Sequence, residues 1–353
     1  MTLVYDRLAA LDSRDIAGLQ IGLPDQFRQG ASLAVSAPPL PMGPEDCTSL
    51  ILSGMGGSAI AGDLTRSLWS DELKVPLTVH RGYGLPGHAG SRTLLICASY
   101  SGNTEETLSA YAEARRRGVP TYCIATGGEL LARAAGDGVP YCTIPPGLPP
   151  RCALGYSLSP LLVLLGRAGF TPSALAMIQS AADFLDAQNR FYAPNVPEEK
   201  NFALEMARLL EGRITLLYAG NERLESVARR IKGQINEHAG HPAWTAEMPE
   251  LCHNEIVGWE RVAVLGDRVR VLFLRDKEDH PRVSARFEII RTILEKAGVP
   301  VTVLMTVGES RLERLLSLVQ LGDWVAYYLA ILTGKDPFAI PEIDFLKDEM
   351  KKV

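Results

Sequence analysis

The sequence of 353 residues is poor in several things that would direct it to particular classes. Cysteine is sparse: six residues at positions 47, 97, 123, 142, 152 and 252, none forming a Cys-x-x-Cys pair. Several sit in apolar runs such as Leu94-Leu95-Ile96-Cys97-Ala98, where cysteine is a reduced, buried small hydrophobe. Long apolar runs are missing too. The longest candidate, Leu158 to Leu165, ends at Gly166 and Arg167, so no membrane-spanning segment is expected. The start carries Asp6, Arg7 and Asp12 where a secretory signal would have its apolar core. Nor does one sign of charge dominate. With 36 basic against 41 acidic side chains the net charge is −5, which speaks against a general nucleic-acid binder but leaves local basic groups free to hold a small anion. What is present, 22% charged and 46% hydrophobic residues, is the balance of a globular protein of one large or two ordinary domains, expected in the cytoplasm.

Two stretches share one plan. Ser49-Leu50-Ile51-Leu52-Ser53 reads as a strand, broken at Gly54-Met55-Gly56-Gly57 and followed by a helix from Ser58 to Trp69. A second strand, Thr93 to Ala98, leads through Ser99-Tyr100-Ser101-Gly102-Asn103-Thr104 into another helix. Asn103 is the expected N-cap, Arg115 to Arg117 fill the last turn, and Gly118 with Pro120 ends it before the strand Thr121 to Ala125. The second half repeats this order: strand Ile214 to Tyr218, turn at Ala219 to Asn221, helix Glu222 to His238, strand Val269 to Leu274, helix Val283 to Ala297, strand Val301 to Met305. Gly-Val-Pro stands between helix and strand in both halves, at 118–120 and 298–300. A duplicated αβα sandwich with mainly parallel sheets accounts for the pattern. Ser173 to Asn189 reads as a connecting helix, followed by a turn-rich linker to Pro197. Pro341 starts a short C-terminal helix, Glu342 to Lys352.

In parallel α/β sheets ligands lie beyond the carboxyl ends of the strands. Both glycine and serine loops leave strands at that edge and enter helices, whose N-termini offer unpaired N–H groups to an anion. Gly56 and Gly57 let backbone approach closely, and Ser58, Ser99, Ser101 and Thr104 add hydroxyl donors. This is a lysine-free cradle suited to a small monophosphate. A relaxed dinucleotide fingerprint, Gly54-x-Gly56-x-x-Ala59, competes with it, but Pro76 to Val79 ends in His80-Arg81 where that fingerprint requires an acid.

From Gln234 to Glu255, four acidic residues and three histidines fall within 22 positions. Glu237 lies late in a helix and His253 in an irregular stretch. A carboxylate and an imidazole beside a ligand make a general base and an acid, whereas the bland alternative is a solvated helix face and a turn residue. A zinc reading through His238 and His241, with Glu237 or His253, lacks the i, i+4 spacing of helical zinc ligands, and Pro242 follows at once.

Taken together, Gly54 to Asp63, Ser99 to Thr107, Asn236-Glu237 and His253-Asn254-Glu255 resemble the bifunctional phosphoglucose/phosphomannose isomerase family, built from two sugar isomerase (SIS) domains. The resemblance implies an aldose–ketose isomerase acting on glucose 6-phosphate, mannose 6-phosphate and fructose 6-phosphate. It needs no metal, nicotinamide or flavin, and it works as a homodimer without nucleic acid. By the same resemblance Glu237 is the base between C1 and C2, and His253 opens the ring from across the subunit interface. Arg151, in Pro149-Pro150-Arg151, stands beside the enediolate. Lys347 assists ring opening from the tail, while Gly56, Gly57, Ser58, Ser99, Ser101 and Thr104 hold the phosphate. One departure stands out: dual-specificity relatives place a threonine hydroxyl before the tail lysine, but here no Ser or Thr lies between Asp336 and Lys347, and Thr333 is nearest.

The expected organisation is a helical N-terminal extension (1–45), a phosphate-binding SIS domain (46–167), a linker helix (168–200), a second SIS domain with the catalytic Glu and His (201–335), and a tail (336–353). A non-catalytic sugar-phosphate sensor would keep the phosphate loops but has no use for Glu237, Arg151, His253 and Lys347 together. A nicotinamide-dependent oxidoreductase would need the missing acid.

Overall fold

The computed structural model describes residues 4–221, 223–265 and 267–352. The chain opens with α1 (Leu8–Leu11), α2 (Ile16–Ile21) and α3 (Leu23–Ser36). A first alternating stretch runs β1 (Ser49–Ser53), α4 (Gly56–Leu68), β2 (Leu77–His80), β3 (Thr93–Ser99), α5 (Glu105–Arg117), β4 (Thr121–Ala125), α6 (Gly128–Gly136) and β5 (Tyr141–Thr143). Three helices follow: α7 (Leu154–Arg167), α8 (Leu175–Tyr192) and α9 (Phe202–Leu210). The second stretch is β6 (Ile214–Gly220), α10 (Glu225–Ala239), β7 (Ala243–Met248), β8 (Val269–Arg275), α11 (Pro281–Lys296) and β9 (Val301–Met305), before α12 (Arg311–Leu332) and α13 (Pro341–Met350).

These elements form two compact units. One comprises Gly22–Asp186 with Gly308–Leu315; the other comprises Met1–Ile21, Ala187–Val307 and Leu316–Val353. Each holds one sheet, ordered β2-β1-β3-β4-β5 in the first and β7-β6-β8-β9 in the second. Every strand pairing in both is parallel. The α/β class and the duplicated plan are therefore as the element order implied.

The Gly-Val-Pro tripeptide explains how each unit turns from helix to strand, and it occurs a third time at 138–140. Gly118, Gly138 and Gly298 all adopt left-handed φ, at 65°, 67° and 77°. In each case the following valine is buried and its N–H reaches back to the helix: Val119 to Ala114 (2.9 Å), Val139 to Ala134 (2.8 Å), Val299 to Leu294 (2.9 Å). That is a Schellman end, satisfying carbonyls the helix leaves open. Proline then stops the helix, and its carbonyl accepts from the neighbouring strand: Leu95 N–H to Pro120, Cys123 N–H to Pro140, Val271 N–H to Pro300.

In the first unit α3 and α7 press together at two glycines. A Cβ at Gly155 would lie 2.5 Å from Gln26 Cβ, and one at Gly30 would lie 2.4 Å from Ser159 Oγ. Arg167 closes the end of α3 by donating to the carbonyls of Ala34 and Ala37. In the second unit the buried core gathers Tyr218, Val271, Phe273, Phe287 and Leu294.

Several expectations are corrected. Asn103 does not cap α5; Thr104 occupies the N-cap without a side-chain cap bond, and Asn103 Oδ1 instead accepts from Glu129 N–H at 2.9 Å. The helix assigned to begin at Glu222 begins at Glu225, and Glu222 itself lies outside the described residues. The longest apolar helix is not the Leu158 to Leu165 run, now inside α7, but α12. A window of α12 reaches mean hydropathy 1.5, long and apolar enough to cross a membrane, yet 94% of it is buried inside the protein. Its aromatic side chains pack on one another, Trp324 stacked on Tyr328 at 5.7 Å, as core rather than lipid-facing groups.

Candidate active site

In the first unit the two expected loops leave adjacent strands, β1 and β3, on either side of which the sheet order reverses direction. Glycine is needed where they meet. A Cβ on Gly54 would stand 2.6 Å from the carbonyl oxygen of Ala98 at the end of β3. Gly56, with φ 47°, starts α4 in a conformation that favours glycine. Neither α4 nor α5 has a side-chain cap, and helix starts of this kind are suited to meeting an anion.

The hydroxyls tie the loops to each other. Ser58 is buried and its Oγ accepts from the Tyr100 N–H at 3.0 Å. Ser99 Oγ lies 2.8 Å from Thr104 Oγ1 and accepts from the Gly102 N–H. Ser101 is exposed, its Oγ accepting from the Asn103 N–H at 3.2 Å. The cradle is thus preorganised by backbone donors, which leave the Ser58 and Ser101 protons for an acceptor.

A third loop, at the start of α6, takes part and was not read from the sequence. A Cβ at Gly102 (φ 72°) would overlap the Gly127 carbonyl at 1.9 Å, and one at Gly128 (φ 66°) would approach the Ser101 carbonyl at 2.5 Å. Leu130 N–H donates to the Gly102 carbonyl and Thr126 N–H to the Tyr100 carbonyl. The signal available was the pair Gly127-Gly128 directly after a strand.

Arg151 belongs to the same unit. It sits in a short 3-10 turn, Pro150–Cys152, and is buried. Gly57 makes its position possible: a Cβ there would lie 2.5 Å from the Pro150 carbonyl oxygen. The first turn of α4 and the turn bearing the guanidinium are therefore in direct backbone contact.

The second unit holds Glu237, His253 and Lys347. Glu237 is half-buried in the last turn of α10, which ends at Gly240 in the left-handed conformation. One turn earlier, Gly233 leaves open space beside the carboxylate; a Cβ there would come 4.0 Å from Oε1. Behind the helix end, Lys335 Nζ donates to the Glu237 carbonyl at 3.0 Å. His238 is fully buried: Nδ1–H donates to the Pro337 carbonyl at 2.7 Å, leaving Nε2 to face the Gln234 amide at 3.4 Å. His241 Nε2 accepts from the Gly212 N–H. With these ring nitrogens engaged by neighbouring groups, the zinc reading of His238 and His241 finds no support.

Deeper in this unit, Arg230 and Asp323 form a buried bidentate pair at 3.1 and 2.7 Å. Burial raises the Asp323 pKa, and the Arg230 guanidinium opposes the shift. His253 is exposed at the end of the 3-10 turn Glu250–His253. Two residues on, Glu255 accepts a hydrogen bond from the buried Tyr218 hydroxyl, which also accepts from Trp259 Nε1–H at 3.1 Å. Glu255 thus anchors the segment that presents His253. Lys347 lies on α13, exposed throughout its length.

The second half of the chain, residues 199–350, matches the family model of the bacterial phospho-glucose isomerase C-terminal SIS domain. The chain is similar to the bifunctional phosphoglucose/phosphomannose isomerase of Caldicellulosiruptor bescii, 40% identical over 309 residues, 88% of this chain and 91% of that one. The enzyme of the same name from Aquifex aeolicus is 37% identical over 305 residues, 86% of this chain and 90% of that one. The chain belongs to the bifunctional phosphoglucose/phosphomannose isomerase family. A crystal structure of a hypothetical protein from Thermus thermophilus shares the fold with a TM-score of 0.73 and 18% identity, covering 99% of this chain and 93% of that one. The chain carries Glu237 and His253 in its second unit, and in its first a buried arginine, Arg151, whose turn abuts the start of α4 at Gly57. Tyr100 knits the segments of the first site together, and Tyr218 those of the second. Burial raises the pKa of both, so both phenols stay protonated hydrogen-bond donors at neutral pH.

Proposed function

We propose that the chain interconverts glucose 6-phosphate and fructose 6-phosphate, and mannose 6-phosphate and fructose 6-phosphate, by ring opening and a cis-enediol intermediate. The first SIS domain (46–167) binds the phosphate through Gly56, Gly57, Ser58, Ser99, Ser101 and Thr104. The second (201–335) supplies Glu237, which takes the proton from C2 of the open aldose and returns it to C1. Arg151 faces the oxygen on which charge develops in the enediolate, a role suited to a fixed guanidinium. His253 and Lys347 move the protons at O5 and O1 that open the ring. The phosphate is remote from the reacting carbons, so its binding energy serves to orient C1 and C2 against the carboxylate.

The observation that carries this reading is the contact of Gly57 with Pro150, which sets the Arg151 turn against the loop helix in a chain of this family. The exposure of His253 suits a residue that serves a neighbouring subunit of a homodimer. Six free cysteines, five of them buried, suit a reducing cytoplasm. Thr333, the hydroxyl nearest the tail lysine, donates to the Leu329 and Ala330 carbonyls at the end of α12, which it follows. With Glu237 as the one carboxylate, the mannose reaction calls for the enediol to turn its other C2 face to the same group, so that one proton transfer serves either epimer.

Turnover of fructose 6-phosphate in D2O, followed by NMR, tests the reading. Deuterium at C2 of both aldose products is expected. Binding of fructose 6-phosphate without exchange or product would identify a sugar-phosphate sensor instead.

A further inference from the structure

We propose that the Tyr100 hydroxyl is a positioning residue for Arg151, fixing the proline strap that carries the guanidinium relative to the phosphate loops. The inference rests on the isomerase reading above and adds a residue to it. The strap runs Ile144-Pro145-Pro146-Gly147-Leu148-Pro149-Pro150-Arg151. Four of the six residues between Ile144 and Arg151 are proline, so only Gly147 and Leu148 have a backbone N–H with which to hold the strap in place. A proline-rich segment is extended and stiff, and where it is pinned decides where its end points.

Ile144 N–H fixes the start of the strap on the Ala125 carbonyl at 3.0 Å and Pro150 abuts Gly57 at its end, while between them two hydrogen bonds come from one phenol. Tyr100 OH donates to the Pro145 carbonyl at 2.8 Å and accepts from the Leu148 N–H at 3.1 Å. The backbone of the same residue holds the cradle: its N–H donates to Ser58 Oγ at 3.0 Å and its carbonyl accepts from the Thr126 N–H at 3.1 Å. Tyr100 thus links three phosphate loops through its main chain and the arginine strap through its side chain. The two functions are separable by one atom. Tyr100→Phe keeps the buried ring and every main-chain bond, and removes only the two bonds to the strap.

The experiment uses the full chain and the conversion of fructose 6-phosphate to glucose 6-phosphate. For Tyr100→Phe, kcat should fall about tenfold, the order expected when a catalytic group is slightly misplaced, while KM stays within about twofold. Inhibition by inorganic phosphate should be unchanged within about twofold, because the cradle keeps its main-chain bonds. Arg151→Lys is made alone and together with Tyr100→Phe. If the hydroxyl acts through the guanidinium, the double variant should be no slower than Arg151→Lys alone. Parental kcat in Tyr100→Phe, or rate losses that multiply in the double variant, would overturn the proposal. A Tyr100→Phe protein that fails to fold, or loses phosphate affinity along with kcat, would overturn it too, assigning the hydroxyl to the fold instead. Failure of the isomerase reading is distinct: the unmodified chain would then leave fructose 6-phosphate unconverted.

Discussion

The ammonium of Lys335 donates a 3.0 Å hydrogen bond to the backbone carbonyl of Glu237, so the last turn of α10 is closed by a side chain from the segment leading to the tail. Next to it, His238 grips the Pro337 carbonyl at 2.7 Å. Helix C-termini gather partial negative charge, and a cation there contributes about 0.3–1 kcal/mol. Lys335→Met keeps the stem and removes the charge. It is expected to cost about 0.3–1 kcal/mol in urea unfolding and to lower kcat by less than about tenfold through a looser Glu237. Unchanged stability together with unchanged kcat would show that the contact holds neither helix end nor base.

Gly57 is a position where one methyl group has nowhere to go. The neighbour at 2.5 Å is the Pro150 carbonyl oxygen, with the Pro150 carbonyl carbon at 3.0 Å; both are backbone and cannot rotate away. Gly57→Ala must push α4 and the Arg151 turn apart. A cost of about 1–3 kcal/mol is expected for such overpacking, with a rise in KM for hexose 6-phosphates and a weaker inhibition by inorganic phosphate. A variant with parental melting behaviour and parental KM would place the turn elsewhere.

Glu237→Gln keeps size and shape and removes the basic oxygen. Loss of a general base costs on the order of 10²–10⁴ in rate, and here the chemistry has no second carboxylate assigned to it. Deuterium exchange at C2 should fall by that factor, while circular dichroism and inhibition by phosphate stay as in the parent. A variant that exchanges C2 hydrogen at the parental rate would remove Glu237 from the mechanism.

How far the sequence carried depends on the range of the interactions involved. The strands Thr121–Ala125 and Val301–Met305 stand as read, because local signals bound them: Gly-Val-Pro before each, and an apolar β-branched run within. The C-terminal ends of α5 and α11 were legible for the same reason, whereas the connecting helix, read to Asn189, runs on to Tyr192. β7 was not. Its residues Ala243–Met248 alternate poorly, with exposed Trp244 and Thr245 side by side, since it is an edge strand paired on one side only. α12 was missed because Gln320 and Asp323 interrupt its apolar pattern; both are buried, with Gln320 bonded to Asn189 and Asp323 to Arg230, partners far away in sequence. The cradle glycines were visible as turn residues, but the roles of Tyr100, Gly127, Gly128 and Gly233 arise from contacts between segments, which no single window displays. Asn103 went astray for a related reason: its side chain serves the start of a different helix, and local capping rules weigh only its own.

The start of α12 provides a pH test confined to the first unit. Burial alone would raise the Glu313 pKa, but the Ser180 hydroxyl and the Glu309 and Ser310 N–H groups donate to its carboxylate and outweigh it, holding the group below its ordinary value of 4.5. A carboxyl that binds its proton less tightly when folded stabilises the fold above the unfolded value, and loses that contribution as pH falls through the lower folded value. Glu313→Gln should therefore cost about 1 kcal/mol in urea unfolding at pH 7, the typical net worth of such bonds. The gap between variant and parent should hold down to roughly pH 5 and then narrow as the parent's own carboxyl takes up its proton. The glutamine amide mimics the protonated acid, so the two proteins should converge in acid. A gap that stays constant or widens below that range would mean the helix start is held by packing of the Glu313 stem rather than by its charge.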